Sequence, residues 1–137
     1  MRSNTQTISI DSPADRAFAF VADPSNLPRW AIGFAKDVNQ VKQGGDLGYV
    51  VTTGQGEVPL RVATDARLGV IDFHMTVADG ADAVAHSRVL PRGDGAEYVF
   101  TQFQGPGMAD AVFEGQVAAL GHELVALKAL LEVECPL

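Results

Sequence analysis

The chain has 137 residues, of which 47% are hydrophobic and 20% charged, and this composition is typical of one folded domain rather than of a disordered segment. The net charge of −7 disfavours binding to nucleic acid and to anionic membranes. No apolar run approaches the roughly 18 residues of a membrane-spanning helix, and the first residues have no apolar signal core, so we expect a cytoplasmic protein.

The chain begins with a predicted strand and a predicted helix. In residues 5–10, Ile8 and Ile10 alternate with polar residues, which is the pattern of a half-buried strand. Ser12 then precedes a proline, and Asp15 completes the spacing of a capping box. We therefore expect Ser12 to cap the first helix.

A second, short helix follows a proline break. The residue before Pro24 avoids the helical conformation, so the first helix should end at this point. Ser25 is placed to cap the next helix, which we expect to run through Trp30, the single tryptophan of the chain.

Short β-rich runs fill the middle of the chain and are separated by turns that contain glycine. Because short turns join antiparallel neighbours, these runs predict a meander, which has seven strands when the first strand is included. The six runs cover residues 34–41, 47–53, 57–64, 70–77, 83–90 and 97–104, and the turns cover 44–46, 54–56, 66–69, 79–80 and 93–95.

The last predicted element is a long helix over residues 109–133. Six apolar residues recur along it at steps of four and three, so they share one face that we expect to pack on the sheet. Gly121 lies beside this stripe, where the missing side chain leaves room for a strand or a ligand. The six residues are Phe113, Val117, Leu120, Leu124, Leu127 and Leu131.

Two sequence motifs accompany this order of elements. The opening, ISIDSPADRAFAFVADPSNLPRW, resembles the start of START-like proteins, the SRPBCC superfamily, in which a strand leads into a Pro-started helix and a D-P-x-x-L-P-x-W turn. The ending, AEYVFTQFQGPGMADAVFEGQVAALGHELVALKALLE, is similar to the last strand, PGM turn and final helix of bacterial members. The resemblance implies one α+β domain over residues 1–137 with the helix-grip fold. In that fold a seven-stranded, curved antiparallel sheet wraps around a long C-terminal helix, with two short helices between strands 1 and 2.

The implied fold leads us to expect a pocket. A curved sheet cannot lie flush on a straight helix, so an apolar cavity of roughly 300–1,000 Å³ should open near the short helices. The resemblance places Trp30 at its mouth, and we expect Trp30→Ala to weaken ligand binding and to leave the fold intact. The expected lining residues are Trp30, Phe34, Tyr49, Phe73, Met75, Phe103, Leu120, Gly121 and Leu124.

Histidines in two neighbouring strands are candidates for acid–base chemistry. If the hairpin closes around residues 79–80, Asp72 lies opposite Arg88 and His74 opposite His86, all on the outer face. A shift of one residue would instead turn His86 and Arg88 into the cavity, where they could bind an acid or a carbonyl.

Alternation leaves the orientation of the last strand open. Either Tyr98 and Phe100 or Val99 and Phe103 face the cavity. An inward Tyr98 could donate a hydrogen bond to a bound carbonyl, and so could Tyr49, but a structural role fits both tyrosines as well. His86, Arg88 and Tyr98 are therefore the weak catalytic candidates.

Neither a metal nor a cofactor is predicted. His74 and His86 have no visible third ligand, and Cys135, the single cysteine, lies near the C-terminus. The glycine-containing turns do not precede helices, so they are not dinucleotide-binding loops.

Three functions agree with these observations. The first is a binder or carrier of a small hydrophobic molecule, and the second is an enzyme like polyketide cyclases and dehydratases, which acts on a hydrophobic or aromatic substrate. The third is a protein-interaction module like the co-chaperones that share the fold. A homodimer formed through an edge strand is left open.

Overall fold

The computed structural model describes residues 1–43, 46–77, 80 and 82–137. Within these ranges the elements follow the predicted order. They are β1 (Ser3–Ile10), α1 (Ala14–Ala22), a 3₁₀ turn (Pro24–Asn26), α2 (Leu27–Trp30), β2 (Asp37–Gln43), β3 (Asp46–Thr53), β4 (Gly56–Asp65), β5 (Val70–Thr76), β6 (Asp82–Arg92), β7 (Gly95–Phe103) and α3 (Asp110–Glu134). Among the described helices, none combines the length and the apolar character that crossing a bilayer requires.

The strands form one antiparallel sheet in the order β1-β7-β6-β5-β4-β3-β2. Neighbours along the chain pair through short turns, while β1 returns to pair with β7, so β1 and β2 are the two edges. The α+β helix-grip architecture is therefore confirmed. The predicted turns at 44–46 and 79–80 fall partly on residues 44, 45 and 79, which lie outside the described ranges.

One glycine is required for a close approach between a turn and strand β6. Gly69 has φ +73°, and a Cβ on it would lie 2.1 Å from the Val89 carbonyl oxygen. The Val89 amide donates to the Gly69 carbonyl at 2.8 Å. Since only glycine tolerates both this φ and this approach, the predicted turn at 66–69 depends on it.

Helix α3 lies against the concave face of the sheet. It contacts β1 and α2, and the Gln6 amide donates to the Val117 carbonyl at 2.9 Å. A Cβ on Gly121 would lie 3.4 Å from Gln6 Oε1, so the glycine makes room for the strand. The predicted stripe is confirmed, because Val117 is half-buried and the other five members are buried.

Both predicted helix caps are wrong. Helix α1 starts one residue later than expected, because the Pro13 carbonyl accepts from the amides of Arg16 and Ala17. Ser12 is fully buried instead, and its hydroxyl has no partner among the described residues. At the second site Asp23, rather than Ser25, is the cap: its Oδ1 accepts from the Ser25 amide at 3.0 Å.

The predicted β5–β6 register is wrong by two residues. Asp72 lies opposite His86 rather than Arg88, and His74 lies opposite Val84. The hairpin closes earlier than expected because the Gly80 amide donates to the Val77 carbonyl at 2.9 Å. Since a shift of two residues keeps each side chain on its face, the predicted outward orientation survives the error.

Candidate functional site

The concave face of the sheet contains apolar side chains that the helices leave half-exposed. Cross-strand pairing puts Tyr49 of β3 beside Leu60 of β4, and Leu60 beside Met75 of β5, all on the concave face. Leu60 is buried, whereas Tyr49 and Met75 are only half-buried. We define the concave patch as half-buried apolar residues of this face together with Phe34 of the loop before β2. The patch comprises Phe34, Val38, Tyr49, Val62, Met75 and Phe100.

A cleft of about 290 Å³ adjoins the concave patch. Two of its lining residues, Val38 and Tyr49, belong to the patch. The polar side of the cleft includes Asp23, whose carboxylate is held by the amide and the hydroxyl of Ser25 at 3.0 and 2.7 Å. Gln40 completes the lining. The cleft therefore provides an opening between the 3₁₀ turn and the inner face of β2 and β3.

An aromatic pair with two free donors lies next to the patch. Trp30 is 2% exposed and Tyr98 is 1% exposed. Their rings meet edge to face with centroids 6.2 Å apart, and Tyr98 contacts Phe100 of the patch at 6.4 Å. Neither Trp30 Nε1 nor the Tyr98 hydroxyl has a hydrogen-bond partner among the described residues. Buried donors in proteins are normally paired, so these two are exceptions within the described protein.

The Tyr98 hydroxyl stays protonated at any physiological pH. Burial raises its pKa, and the nearby hydroxyl of Ser87 offsets only part of this effect. Ser87 donates its own proton to the Ile71 carbonyl at 2.6 Å. Tyr98 can therefore act as a hydrogen-bond donor but not as a base.

Helix α3 carries a buried carboxyl group near the patch. Glu123 is 8% exposed, and its Oε2 accepts from the Gly33 amide at 3.2 Å. Burial raises the pKa of Glu123 to about 7, although hydrogen bonds from the Gly33 and Phe34 amides oppose the rise. Because Phe34 belongs to the patch, Glu123 fixes the loop that supplies part of its wall. A carboxyl group with this pKa can also exchange a proton near neutral pH.

Most of the residues predicted to line a pocket lie on the concave side. Phe34, Tyr49 and Met75 are half-buried members of the patch. A second group, Trp30, Phe73, Leu120 and Leu124, is buried in the core beneath it. The expectation that Trp30→Ala spares the fold disagrees with this position, because Trp30 is a large, buried member of the core cluster.

Three predicted site residues lie on the opposite face. Phe103 is 42% exposed and contacts the ring of His86 edge to face at 6.3 Å. His86 Nδ1 lies 3.0 Å from Asp72 Oδ1, and Arg88 donates to the Leu68 carbonyl. The alternative that turned His86 and Arg88 into the cavity is thus wrong, since the strand pairing keeps Tyr98 inside and both of them outside.

Sequence reasoning missed Glu123, Ser87 and the role of Asp23. Glu123 stands three residues after Leu120 and four before Leu127, so the stripe itself placed a carboxyl group on the buried helix face. The signal was present, but only the apolar members of the stripe were considered. Ser87 alternates with Ala85 and Val89 and could have been placed inside by the same argument.

This curved sheet, gripping a long terminal helix above a concave apolar surface, defines a protein of the helix-grip class. Residues 1–132 match the model of the family described as polyketide cyclase / dehydrase and lipid transport. The chain therefore belongs to that family. No curated protein matches the sequence.

Solved structures share the fold at low sequence identity. The di-domain ARO/CYC BexL from the BE-7585A biosynthetic pathway is 24% identical, with a TM-score of 0.74 over 98% of this chain and 48% of BexL. This chain thus spans about half the length of BexL. Ara h 8.0201 is 13% identical, with a TM-score of 0.70 over 97% of this chain and 99% of that one. The Aha1 dimer from Colwellia psychrerythraea is 12% identical, with a TM-score of 0.74 over 97% and 98%.

Proposed function

We propose that this protein binds a small, mainly apolar molecule that carries an acceptor oxygen, such as a carbonyl, on the concave patch. The observation that supports this most is the combination of half-exposed apolar side chains with two buried donors that lack partners. An apolar surface with a few directed polar groups is the usual composition of a ligand site.

Hydrogen-bond energetics favour an oxygen-bearing ligand over a pure hydrocarbon. A buried donor without a partner costs about 1–3 kcal/mol. An acceptor oxygen that reaches Trp30 Nε1 or the Tyr98 hydroxyl would recover part of this cost, and a hydrocarbon would not. Burial of the ligand against Met75 and Phe100 would supply the nonspecific part of the affinity.

Calorimetric titration with decan-2-one tests this proposal. We expect saturable binding at one site, and we expect Tyr98→Phe to weaken it about fivefold, the effect of one neutral hydrogen bond. Met75→Asp, which places a charge on the patch, should abolish binding. His86→Ala on the outer face is the matched control and should bind like the parent protein.

Two results would contradict the proposal. One is the absence of any saturable heat with decan-2-one in a folded protein. The other is equal loss of affinity in His86→Ala and Met75→Asp, because a site on the concave patch cannot respond to a change on the outer face.

A second candidate, a cyclase- or dehydratase-like enzyme, is favoured by Glu123. Its carboxyl group is buried at the wall of the patch and has a pKa of about 7, which suits proton transfer at neutral pH. In such an enzyme the Tyr98 hydroxyl would donate a hydrogen bond to a substrate carbonyl oxygen, and the Glu123 carboxylate would take the proton from the carbon next to that carbonyl. The test is conversion of a linear polyketone by the parent protein and by Glu123→Gln. If the parent protein binds the polyketone without converting it, the enzyme candidate is rejected and only the carrier function remains.

Interaction with other proteins stays a prediction. β1 and β2 are the sheet edges through which two copies could pair. Analytical ultracentrifugation would show a dimer as a doubled mass.

A further inference from the structure

A third donor without a partner borders the concave patch, on the side of Phe100 away from Tyr98. Gln102 Nε2 is buried and has no hydrogen-bond partner among the described residues. Gln102 faces the interior, because β1 pairs it with Asn4 just as it pairs Tyr98 with Ile8. Its side chain therefore points to the same face of the sheet as Tyr98 and Phe100.

The neighbouring amide groups are already occupied. Gln6 Nε2 donates to Asn4 Oδ1 and to the Val117 carbonyl, both at 2.9 Å. Farther along the chain, Gln104 Nε2 donates to the Met108 carbonyl and to Asp110, both at 2.8 Å. Among these described carboxamides, Gln102 alone has a buried nitrogen that donates to no group of the protein.

The two donors of β7, Tyr98 and Gln102, lie on either side of an apolar part of the strand. Tyr98 and Gln102 are four residues apart, so their Cα atoms are separated by about 13 Å. Phe100 lies between them and contacts Tyr98 and Phe73 with ring centroids 6.4 and 6.3 Å apart. Along this strand the inner face thus has a donor, an aromatic surface and a second donor.

From this arrangement, and on the basis of the proposed function, we propose that the natural ligand is elongated and bears two acceptor oxygens, one for Tyr98 and one for Gln102. The oxygens are separated by an apolar segment that lies across Phe100. They are neutral carbonyl, ester or hydroxyl oxygens, since a carboxylate buried beside uncharged donors would pay a large desolvation cost. A ligand with one oxygen satisfies one of the two donors and leaves the other unpaired.

A chain-length series of linear diketones, each matched with the monoketone of equal carbon number, tests this inference. We expect the diketone to bind about fivefold more tightly than its monoketone at one optimal length and equally at much shorter lengths. Gln102→Met removes the donor while keeping the length of the side chain. It should abolish the advantage of the diketone over its monoketone. Gln116→Met, the same exchange at an exposed position of α3, should preserve the advantage.

A stability measurement gives a readout that a purely structural role would not produce. Since a buried donor without a partner is unfavourable, ligand-free Gln102→Met should be at least as stable as the parent protein. A variant that is markedly less stable would mean that the amide holds the fold together, and the inference would be rejected.

Failure of this inference can be told from failure of the proposed function. If diketones and monoketones bind equally at every length and Tyr98→Phe weakens both, the second contact does not exist but the binding function stands. If neither series binds the parent protein, both proposals are rejected.

Discussion

The inner face of the sheet consists of two regions that differ in how they are covered. In one region, Ile10 and Val89 are buried and pack in one cluster with Leu127 and Leu131. Across β3 to β5, the same face of the same sheet carries Tyr49, Val62 and Met75 with part of their surface exposed.

This contrast separates the region that stabilises the fold from the region that we propose to bind a ligand. The enclosed region contributes the burial that holds the fold together. The concave patch has the same kind of side chains without a complete cover, so part of its apolar surface is exposed. The free donors of Trp30 and Tyr98 lie at the boundary between the two regions.

The largest effect is expected for Trp30→Ala. Because the indole is 2% exposed, its loss should leave a cavity and lower the free energy of unfolding by about 3–5 kcal/mol. Urea denaturation followed by circular dichroism measures this loss in the free energy of unfolding. A loss below about 1 kcal/mol would show that the indole belongs to the open region instead.

A matched pair of valines compares the regions directly. Val89→Ala in the enclosed region should cost about 2 kcal/mol, whereas Val62→Ala on the patch should cost less than about 1 kcal/mol. Both residues face inward on neighbouring parts of the sheet, so the chemical change is the same. If urea denaturation shows equal losses in the free energy of unfolding for the two variants, the two regions are covered equally.

The pH dependence of stability reports the titration of Glu123. Its pKa is about 7 in the folded protein against 4.5 in the unfolded chain, so the neutral form favours folding. The stabilisation is complete below pH 4.5 and is lost as the pH rises to about 7, a loss on the order of 3 kcal/mol. Glu123→Gln should flatten this part of the curve.

Two other carboxyl groups, those of Glu97 and Glu132, change the stability with pH in the opposite direction. Hydrogen bonds from Ser9 and Thr7 lower the pKa of Glu97, and one from Lys128 lowers that of Glu132. Their stabilisation is lost only as the pH falls below the ordinary carboxyl range, outside the Glu123 window. A Glu123→Gln curve that still falls between pH 4.5 and 7 would therefore assign the titration to another group.

The smallest change in stability is expected for Tyr98→Phe. Removal of a buried hydroxyl without a partner should leave the ligand-free protein as stable as before, or up to about 1 kcal/mol more stable. Thermal denaturation is sufficient to measure this difference. A clear destabilisation would show that the hydroxyl is satisfied inside the protein and is not available to a ligand.

The sequence was sufficient for the fold because periodicity reports which side chains share a face. It placed Ile8 and Ile10 inside, and it identified the leucine stripe of α3. It failed where local hydrogen bonds compete, as at the Ser12 cap, where the Pro13 carbonyl starts the helix. The β5–β6 register failed for the same reason, since a turn bond at Gly80 sets it.

The site was harder to predict than the fold. Alternation in β7 admitted either face, and only pairing with β1 placed Tyr98 inside and Phe103 outside. Partial exposure of Met75 depends on how far α3 and the short helices extend over the sheet, which no local pattern encodes. The buried position of Glu123 was accessible from the helical spacing.

The indole of Trp30 offers the most direct test of the ligand site. Since the chain has one tryptophan, its Nε1–H gives one unambiguous indole signal in a ¹H–¹⁵N NMR spectrum. We predict that decan-2-one shifts this signal downfield in a saturable manner, whereas decane, which has no acceptor, produces no such downfield shift. An indole signal that stays in place at saturating ketone, in a protein whose other amide signals are those of the folded state, would contradict binding at this donor.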